Sequence, residues 1–334
     1  MYKLLAVFIA MFCFCVGPLG ADTLNFASPV ASGHRLHTAV LNPWFEQIVS
    51  NSDNSLEIRT FFASPLGNYN NIYDRVVDGV VDIGFTTLAN VGGQFVKTDV
   101  AALPFETRSA LEGSTALWNL YENGLIADEF AHIKLLGIFM FPNSALHMRE
   151  KRIETLEDFE GAKIRTAGKL QSNVLAALGG SPVTADPSEI YMGISRGVFD
   201  GAIIPWTGVP PFKLEEVTHY HLNAPLGSSV GMIFMNLQAY EQLSEPARRA
   251  IDDSSGLSLS MWLSGHTDYD AFAVKQDIGS RENQVVLDIR PEEALRWQRQ
   301  LQPVVDAWVA QTPDGAEVLA AFREQVREYR AARE

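Results

Sequence analysis

Residues 156–205 read LEDFEGAKIRTAGKLQSNVLAALGGSPVTADPSEIYMGISRGVFDGAIIP, and the punctuation of this stretch decides the fold class. Lys163 to Thr166 is a short strand-like run that leads through Gly168 into a helical segment, Gln171 to Leu178. Asp186, Pro187, Ser188 and Glu189 then form a helix start: Asp186 can cap, Pro187 suits the first turn, and Glu189 completes a capping box. That helix runs through Ile190, Tyr191 and Ile194 and stops at Gly197, after which Asp200 to Pro205 is again strand-like. Thr155 to Phe159, closed by Gly161, is a one-turn version of the same capped device.

The same word recurs outward in both directions. Thr23 to Ala27, Leu56 to Phe62, Asp82 to Thr86, Lys134 to Phe141 and Val230 to Asn236 are short apolar runs separated by helical patterns. Such alternation predicts mostly parallel sheets covered by helices, with ligands bound at the carboxyl ends of strands. The final third changes character: few turn residues interrupt Ser244 to Ser280, and Val318, Leu319, Phe322, Val326 and Tyr329 share one face of a C-terminal helix. With 334 residues and no Pro/Ser-rich linker or repeat, the chain predicts two interwoven α/β lobes rather than two beads on a string.

Apolar residues make up 47% of the chain, enough for a sizeable core, and 40 acidic against 26 basic residues give a formal charge of -14. A phosphate-binding basic footprint is missing, which argues against nucleic acid and anionic membrane surfaces as partners. Residues 1–21 read as a secretory leader: Lys3, an apolar stretch from Leu4 to Val16 too short to span a bilayer, then Gly17, Pro18, Gly20 and Ala21. Both cysteines, Cys13 and Cys15, fall inside it. The exported chain would start near Asp22 without a thiol, which excludes disulfides, cysteine nucleophiles and Cys-ligated metals. A bacterial periplasmic location is expected.

Few motifs suggest chemistry. Gly227, Ser228, Ser229, Val230, Gly231 matches G-x-S-x-G and nominates Ser229 as a hydrolase nucleophile, but Pro225 and Leu226 precede it and a strand follows, the reverse of a nucleophile elbow. His34 with His37, and His219 with His221, have spacings that could supply half of a zinc site, and no carboxylate completes either. The acidic pairs Glu215, Glu216 and Asp252, Asp253 point apart on a helix. Gly92 and Gly93 lack the motif of a phosphate cradle, so no metal and no cofactor is expected. Arg165, at the carboxyl end of a strand, can either grip a ligand carboxylate bidentately or pair with a surface acid.

The run from Leu156 to Pro205 resembles the signature region of the solute-binding proteins of TRAP transporters, the C4-dicarboxylate-binding type family. The matching residues are Leu156, Asp158, Gly161, Lys163, Ile164 and Arg165, then Leu178, Gly179, Pro182 and Val183, then Glu189, Ile190 and Tyr191, then Gly197, Asp200, Gly201 and Pro205. Ser64 to Gly67, Asp78, Gly79, Asp82, Ile83 and Leu103 to Phe105 extend the resemblance along the whole exported chain. It implies a two-lobe periplasmic binding protein of type II-like α/β fold, with hinge strands, a long bracing helix and a cleft closing over one organic acid. The first lobe would take roughly 22–143 plus part of 232–275, and the second roughly 144–231 plus part of 276–334.

The resemblance further implies no reaction, delivery to a permease of small and large membrane subunits, and a salt bridge from Arg165 to the ligand carboxylate. Thr86, Thr87 and His34 fall where family members line the pocket from the first lobe. Two positions depart from the pattern. Ala145 stands where sialic-acid binders carry a second arginine, and Ile204 replaces an asparagine that helps hold the carboxylate. A monocarboxylate with an apolar or aromatic body is therefore expected, packed against Ile203, Ile204 or Trp206, although Trp206 can equally be a core residue. A ligand sensor is the rival reading among binding proteins.

Overall fold

The computed structural model describes residues 21–63 and 65–333, so the expected leader lies outside the described residues except for Ala21. Among the described residues there are eleven strands: β1 Asp22–Ala27, β2 Leu56–Phe61, β3 Ile83–Thr87, β4 Ile133–Met140, β5 Ser144–Met148, β6 Lys163–Thr166, β7 Ser181–Thr184, β8 Gly201–Pro205, β9 Tyr220–Asn223, β10 Val230–Asn236 and β11 Val285–Asp288. Ten α-helices accompany them in the same residues. In the first half these are α1 Asn42–Asn51, α2 Ile72–Val77, α3 Ala110–Glu122, α4 Lys169–Ala177 and α5 Ile190–Ser195. The second half adds α6 Leu237–Glu241, α7 Glu245–Ser254, α8 Leu257–Gly279, α9 Pro291–Gln311 and α10 Gly315–Ala331.

The strands form two sheets, β2-β1-β3-β10-β4 in the first lobe and β11-β9-β5-β8-β6-β7 in the second. Each sheet is parallel apart from one strand: β10 runs against β3 and β4, and β5 runs against β8 and β9. These two are the strands that enter from the opposite lobe. The chain leaves the first lobe between β4 and β5 and returns between β9 and β10, so each crossing delivers the strand that opposes its new sheet. The crossings are tied side by side, with the Phe141 amide donating to the Ser229 carbonyl at 2.8 Å and the Ser144 amide to the Gly227 carbonyl at 2.8 Å.

Both faces of each sheet are covered, which explains why the central strands are continuously apolar rather than alternating. Along β10, Val230, Met232 and Phe234 belong to one core of the first lobe while Ile233 and Met235 belong to the other. In the second lobe Leu146, Ile164, Ile203 and Leu222 pack on one face, and Ala145, Ala202, Ile204 and Trp206 on the other.

Two long helices brace the pair. The start of α8 buries Leu259 and Leu263 in the first lobe and its end buries Ala271 and Ile278 in the second. Helix α9 runs back, with Trp297 and Leu301 in the second-lobe core and Val305 and Trp308 in the first. The apolar face expected on the last helix closes the fold: Val318, Leu319, Phe322 and Val326 of α10 seal the first lobe. Both expected capping boxes form, Thr155 with Asp158 and Asp186 with Glu189.

Candidate ligand-binding cleft

Between the lobes lies a cavity of about 440 Å³. Its walls come from the loop after β1, the end of β3, both crossings, the turn after β6, the start of α5's capped turn and the segment after β8. These are largely strand carboxyl ends, where parallel sheets leave their ligand sites. Pro29, Val30, Leu36, Phe85 and Phe141 supply apolar surface from the first lobe and the crossing, and Ile203, Ile204, Pro205, Pro211 and Phe212 from the second.

Arg165 is the one cation among the described residues that line this space, and no carboxylate among them lines it. Strand β6 is short and flanked by β7 and β8, so its third residue is drawn into the interior and is only 3% exposed. The guanidinium Nε–H donates to the Ala185 carbonyl at 2.8 Å, which fixes the side chain and leaves the terminal nitrogens free to turn to the cavity. Among the described residues no ion pair forms at Arg165. Burial pulls its pKa down to about 10, against a smaller raising effect from Asp186, Glu189 and Tyr69, so the group remains cationic at neutral pH. A desolvated cation without an anion is costly, and a ligand carboxylate is the group that would relieve it.

Further polar groups point the same way. Tyr69 lines the cavity, and burial raises its phenol to about 12, so the hydroxyl keeps its proton as a donor. Gln171, in the first turn of α4, accepts the Ala167 amide at 2.7 Å and lines the floor beside Ser144. Thr87 and Asn90 line the first-lobe side and are hydrogen-bonded to each other. His34 accepts the Leu36 amide at its Nδ1 at 3.1 Å, which places its proton on Nε2. Burial also lowers its pKa, so the ring is a neutral donor at pH 7.

Of the residues expected from sequence, Arg165, Thr87, His34, Ile203 and Ile204 thus meet at one cavity. Thr86 stands behind the wall: it is fully buried and its hydroxyl donates to the Tyr69 carbonyl at 3.5 Å, supporting the loop that presents the phenol. Trp206 does not line the cavity. The tight turn Trp206–Gly208 directs its indole back onto the sheet, where Nε1–H donates to Asn223 at 3.2 Å and the ring lies edge-on to His147, centroids 4.8 Å apart. The core alternative is what the structure contains. Ala145 is fully buried and opposes Ile204 in the sheet.

Sequence reasoning missed Tyr69, Phe85, Asn90, Gln171 and Phe212. Gln171 carried a usable signal, since it opens the helix that follows the Arg165 strand; the others lie in loops or inside a strand and become neighbours only when the lobes meet. The other motif residues lie in the following surroundings. Ser229 lines the cavity but leads into strand β10, and among the described residues no histidine bonds its hydroxyl. His37 is buried between the Ala31 carbonyl and the Ser28 hydroxyl at 3.0 and 2.9 Å. His221 faces His147, Nδ1 to Nδ1, at 2.8 Å, and the Ile204 carbonyl accepts from His147 Nε2 at 3.1 Å.

Known proteins place the chain. The family model for bacterial extracellular solute-binding proteins, family 7 (DctP), matches residues 26–312. A TRAP solute-binding protein from Rhodoferax ferrireducens, solved with copurified benzoate, is 28% identical with a TM-score of 0.88, covering 93% of this chain and 99% of its own. A marine metagenome TRAP protein specific for aromatic acids, solved with 3-hydroxybenzoate, is 25% identical with a TM-score of 0.88 at the same coverage. A Bordetella bronchiseptica TRAP protein with bound (R)- and (S)-mandelate is 27% identical with a TM-score of 0.84, covering 92% of this chain and 99% of its own. No helix among the described residues is long and apolar enough to cross a membrane. The match over most of the sequence and the shared two-lobe fold lead to one assignment: the chain belongs to the DctP family, the periplasmic, non-enzymatic solute-binding proteins of TRAP transporters.

Proposed function

We propose that this protein captures an aromatic monocarboxylate in the periplasm, after export through its leader, and delivers it to a TRAP permease of small and large membrane subunits. The observation that carries the reading is the composition of the cleft wall: one buried cation, Arg165, no second cation among the described residues, and an otherwise largely apolar lining that includes Phe85, Phe141 and Phe212. Arg165 takes the carboxylate, with Tyr69, Gln171 and Ser144 as further donors near it. The ring packs between the phenylalanines of the first lobe and crossing and the Ile203 to Pro205 edge of the second. Thr87, Asn90 and His34 are placed to receive a ring hydroxyl. The aromatic acids held by the three related structures support this class, and so does the cavity size, which falls in the range of small-ligand sites.

A second carboxylate would be buried against Ile204 and Phe85 with no second cation to pair with, and a full set of sugar hydroxyls would outnumber the partners that Thr87, Asn90 and His34 offer, at a cost of several kcal/mol. Competitive calorimetric titration tests the proposal with benzoate, 3-hydroxybenzoate and mandelate against succinate and glucuronate. Binding is expected for at least one aromatic acid and to be absent or much weaker for the last two. Tighter binding of succinate or glucuronate would overturn the ligand class and leave the family assignment standing.

A further inference from the structure

Helix α8 carries a face that its own chain does not explain. Trp262, Tyr269 and Phe272 are 37%, 65% and 63% exposed. With Gly265 and Gln276 they fall at successive intervals of three, four, three and four residues, the narrow stripe of a helix–helix seam rather than the broader face of a helix laid on a core. Ser258 extends the stripe by one more turn. No charged side chain interrupts it, although solvent faces of helices are ordinarily charged.

Gly265 lies at the middle of this stripe. A methyl group there would meet nothing within 4 Å, and the backbone is ordinary helix, so neither packing nor conformation requires glycine in this chain. Glycine inside a helix costs about 1 kcal/mol relative to alanine. It does permit a second helix to approach closely.

We propose that α8 pairs antiparallel with α8 of a second copy, forming a two-fold homodimer. The stripe is self-complementary about the height of Thr267. A two-fold axis there sets Trp262 against the partner's Phe272, Ser258 against the partner's Gln276, and Tyr269 against the partner's Gly265. Each aromatic of the first pair thus meets an aromatic, the polar ends meet each other, and the tyrosine fills the space the glycine leaves. Antiparallel pairing also opposes the helix dipoles favourably. Copies carrying a formal charge of -14 repel one another generally, and this uncharged face is where they can meet. The seam is about 27 Å long at 1.5 Å per residue. One helix pair of that length buries less than the roughly 800 Å² per partner of a standard interface, so a micromolar rather than nanomolar dimer is expected.

Sedimentation velocity on the purified exported protein from about 1 to 500 µM tests this, a range chosen to bracket micromolar association. Mass should rise from monomer to dimer, more readily at higher salt, and Tyr269→Lys should weaken association about tenfold or more by placing two charges in the seam. For orientation, Gly265→Cys and Tyr269→Cys are made in the exported protein, which starts near Asp22 and so holds no other cysteine. Mixed oxidation should give the heterotypic disulfide, because disulfides need Cα atoms within about 7 Å and only opposed positions meet that limit. A monomer throughout the range, or unchanged association in Tyr269→Lys, overturns the dimer. Predominantly homotypic disulfides between two Gly265→Cys chains overturn the antiparallel arrangement.

Discussion

At Gly227 a side-chain carbon in place of hydrogen would stand 2.1 Å from the carbonyl oxygen of Ala102. The residue also has φ +87°, and its carbonyl accepts the Ser144 amide, so it locks the returning crossing between the first-lobe loop and the outgoing crossing. Gly227→Ala must bear both the strained backbone and a backbone contact that cannot yield by a rotamer change. A loss of about 2 kcal/mol or more is expected, read as a melting temperature lower by roughly 3 °C or more. Gly92→Ala, with open space around it and no positive φ, should be nearly neutral and serves as the control. Equal melting of the two variants would remove the steric argument.

Removing Arg165 should abolish capture without unfolding the lobe. Arg165→Ala leaves a ligand carboxylate desolvated and unpaired, which costs about 2 to 5 kcal/mol of binding, and Arg165→Lys should recover only part because an ammonium cannot reproduce the planar fork. Calorimetry with benzoate or 3-hydroxybenzoate, beside a circular dichroism melt, separates affinity from stability. Near-native affinity in a folded Arg165→Ala protein would be incompatible with the clamp.

Seven strands were legible because each is a compact run rich in apolar, β-branched or aromatic residues, and the structure places them within a residue or two of expectation. The four that sequence patterning passed over have different reasons. Strands β7 and β11 lie at the two ends of the second sheet with no fully buried residue, so they carry little apolar signal. Strand β9 hides its character behind His221, whose buried partner His147 is 74 positions away and lies on β5, a strand also overlooked. The cleft followed the same division. Arg165 could be read because strand, arginine and glycine are nearly consecutive, whereas Tyr69 and Phe212 reach it only through the meeting of two lobes. Trp206 shows the opposite limit: adjacency to a strand end does not fix which way a tight turn sends its side chain.

His37 makes the first lobe sensitive to acid. Burial outweighs its hydrogen bond to Ala31 and lowers its pKa from 6.5 to about 4. Between those values the unfolded chain binds a proton that the folded chain refuses, so stability is fully present above pH 6.5 and falls as the pH drops toward 4. The loss is at most about 3 kcal/mol for this group. His37→Gln should flatten the dependence of urea-unfolding free energy between pH 7 and pH 4.5, even if the variant is less stable at pH 7. An unchanged slope would assign the acid sensitivity to other groups, His34, His147 and His221 among them, whose pKa values burial also lowers.

Across the cleft, Asn70 of the first lobe donates to Asp186 of the second at 3.4 Å, an exposed contact worth little by itself. The steric meeting point is Gly168, at the head of α4, where a side-chain carbon would lie 3.7 Å from the Ala89 methyl. Ala89 is solvent-exposed, so a large residue there is tolerated by the first lobe alone and obstructs only the approach of the second. Ala89→Trp should therefore keep the native melting temperature while holding the lobes apart. The wild-type protein is expected to compact in small-angle scattering when saturated with benzoate or 3-hydroxybenzoate, and the variant to remain at the dimensions of the free protein with affinity reduced tenfold or more, about 1.4 kcal/mol. A variant that binds as tightly as wild type and compacts to the same degree would show that Ala89 and Gly168 do not set the closed state.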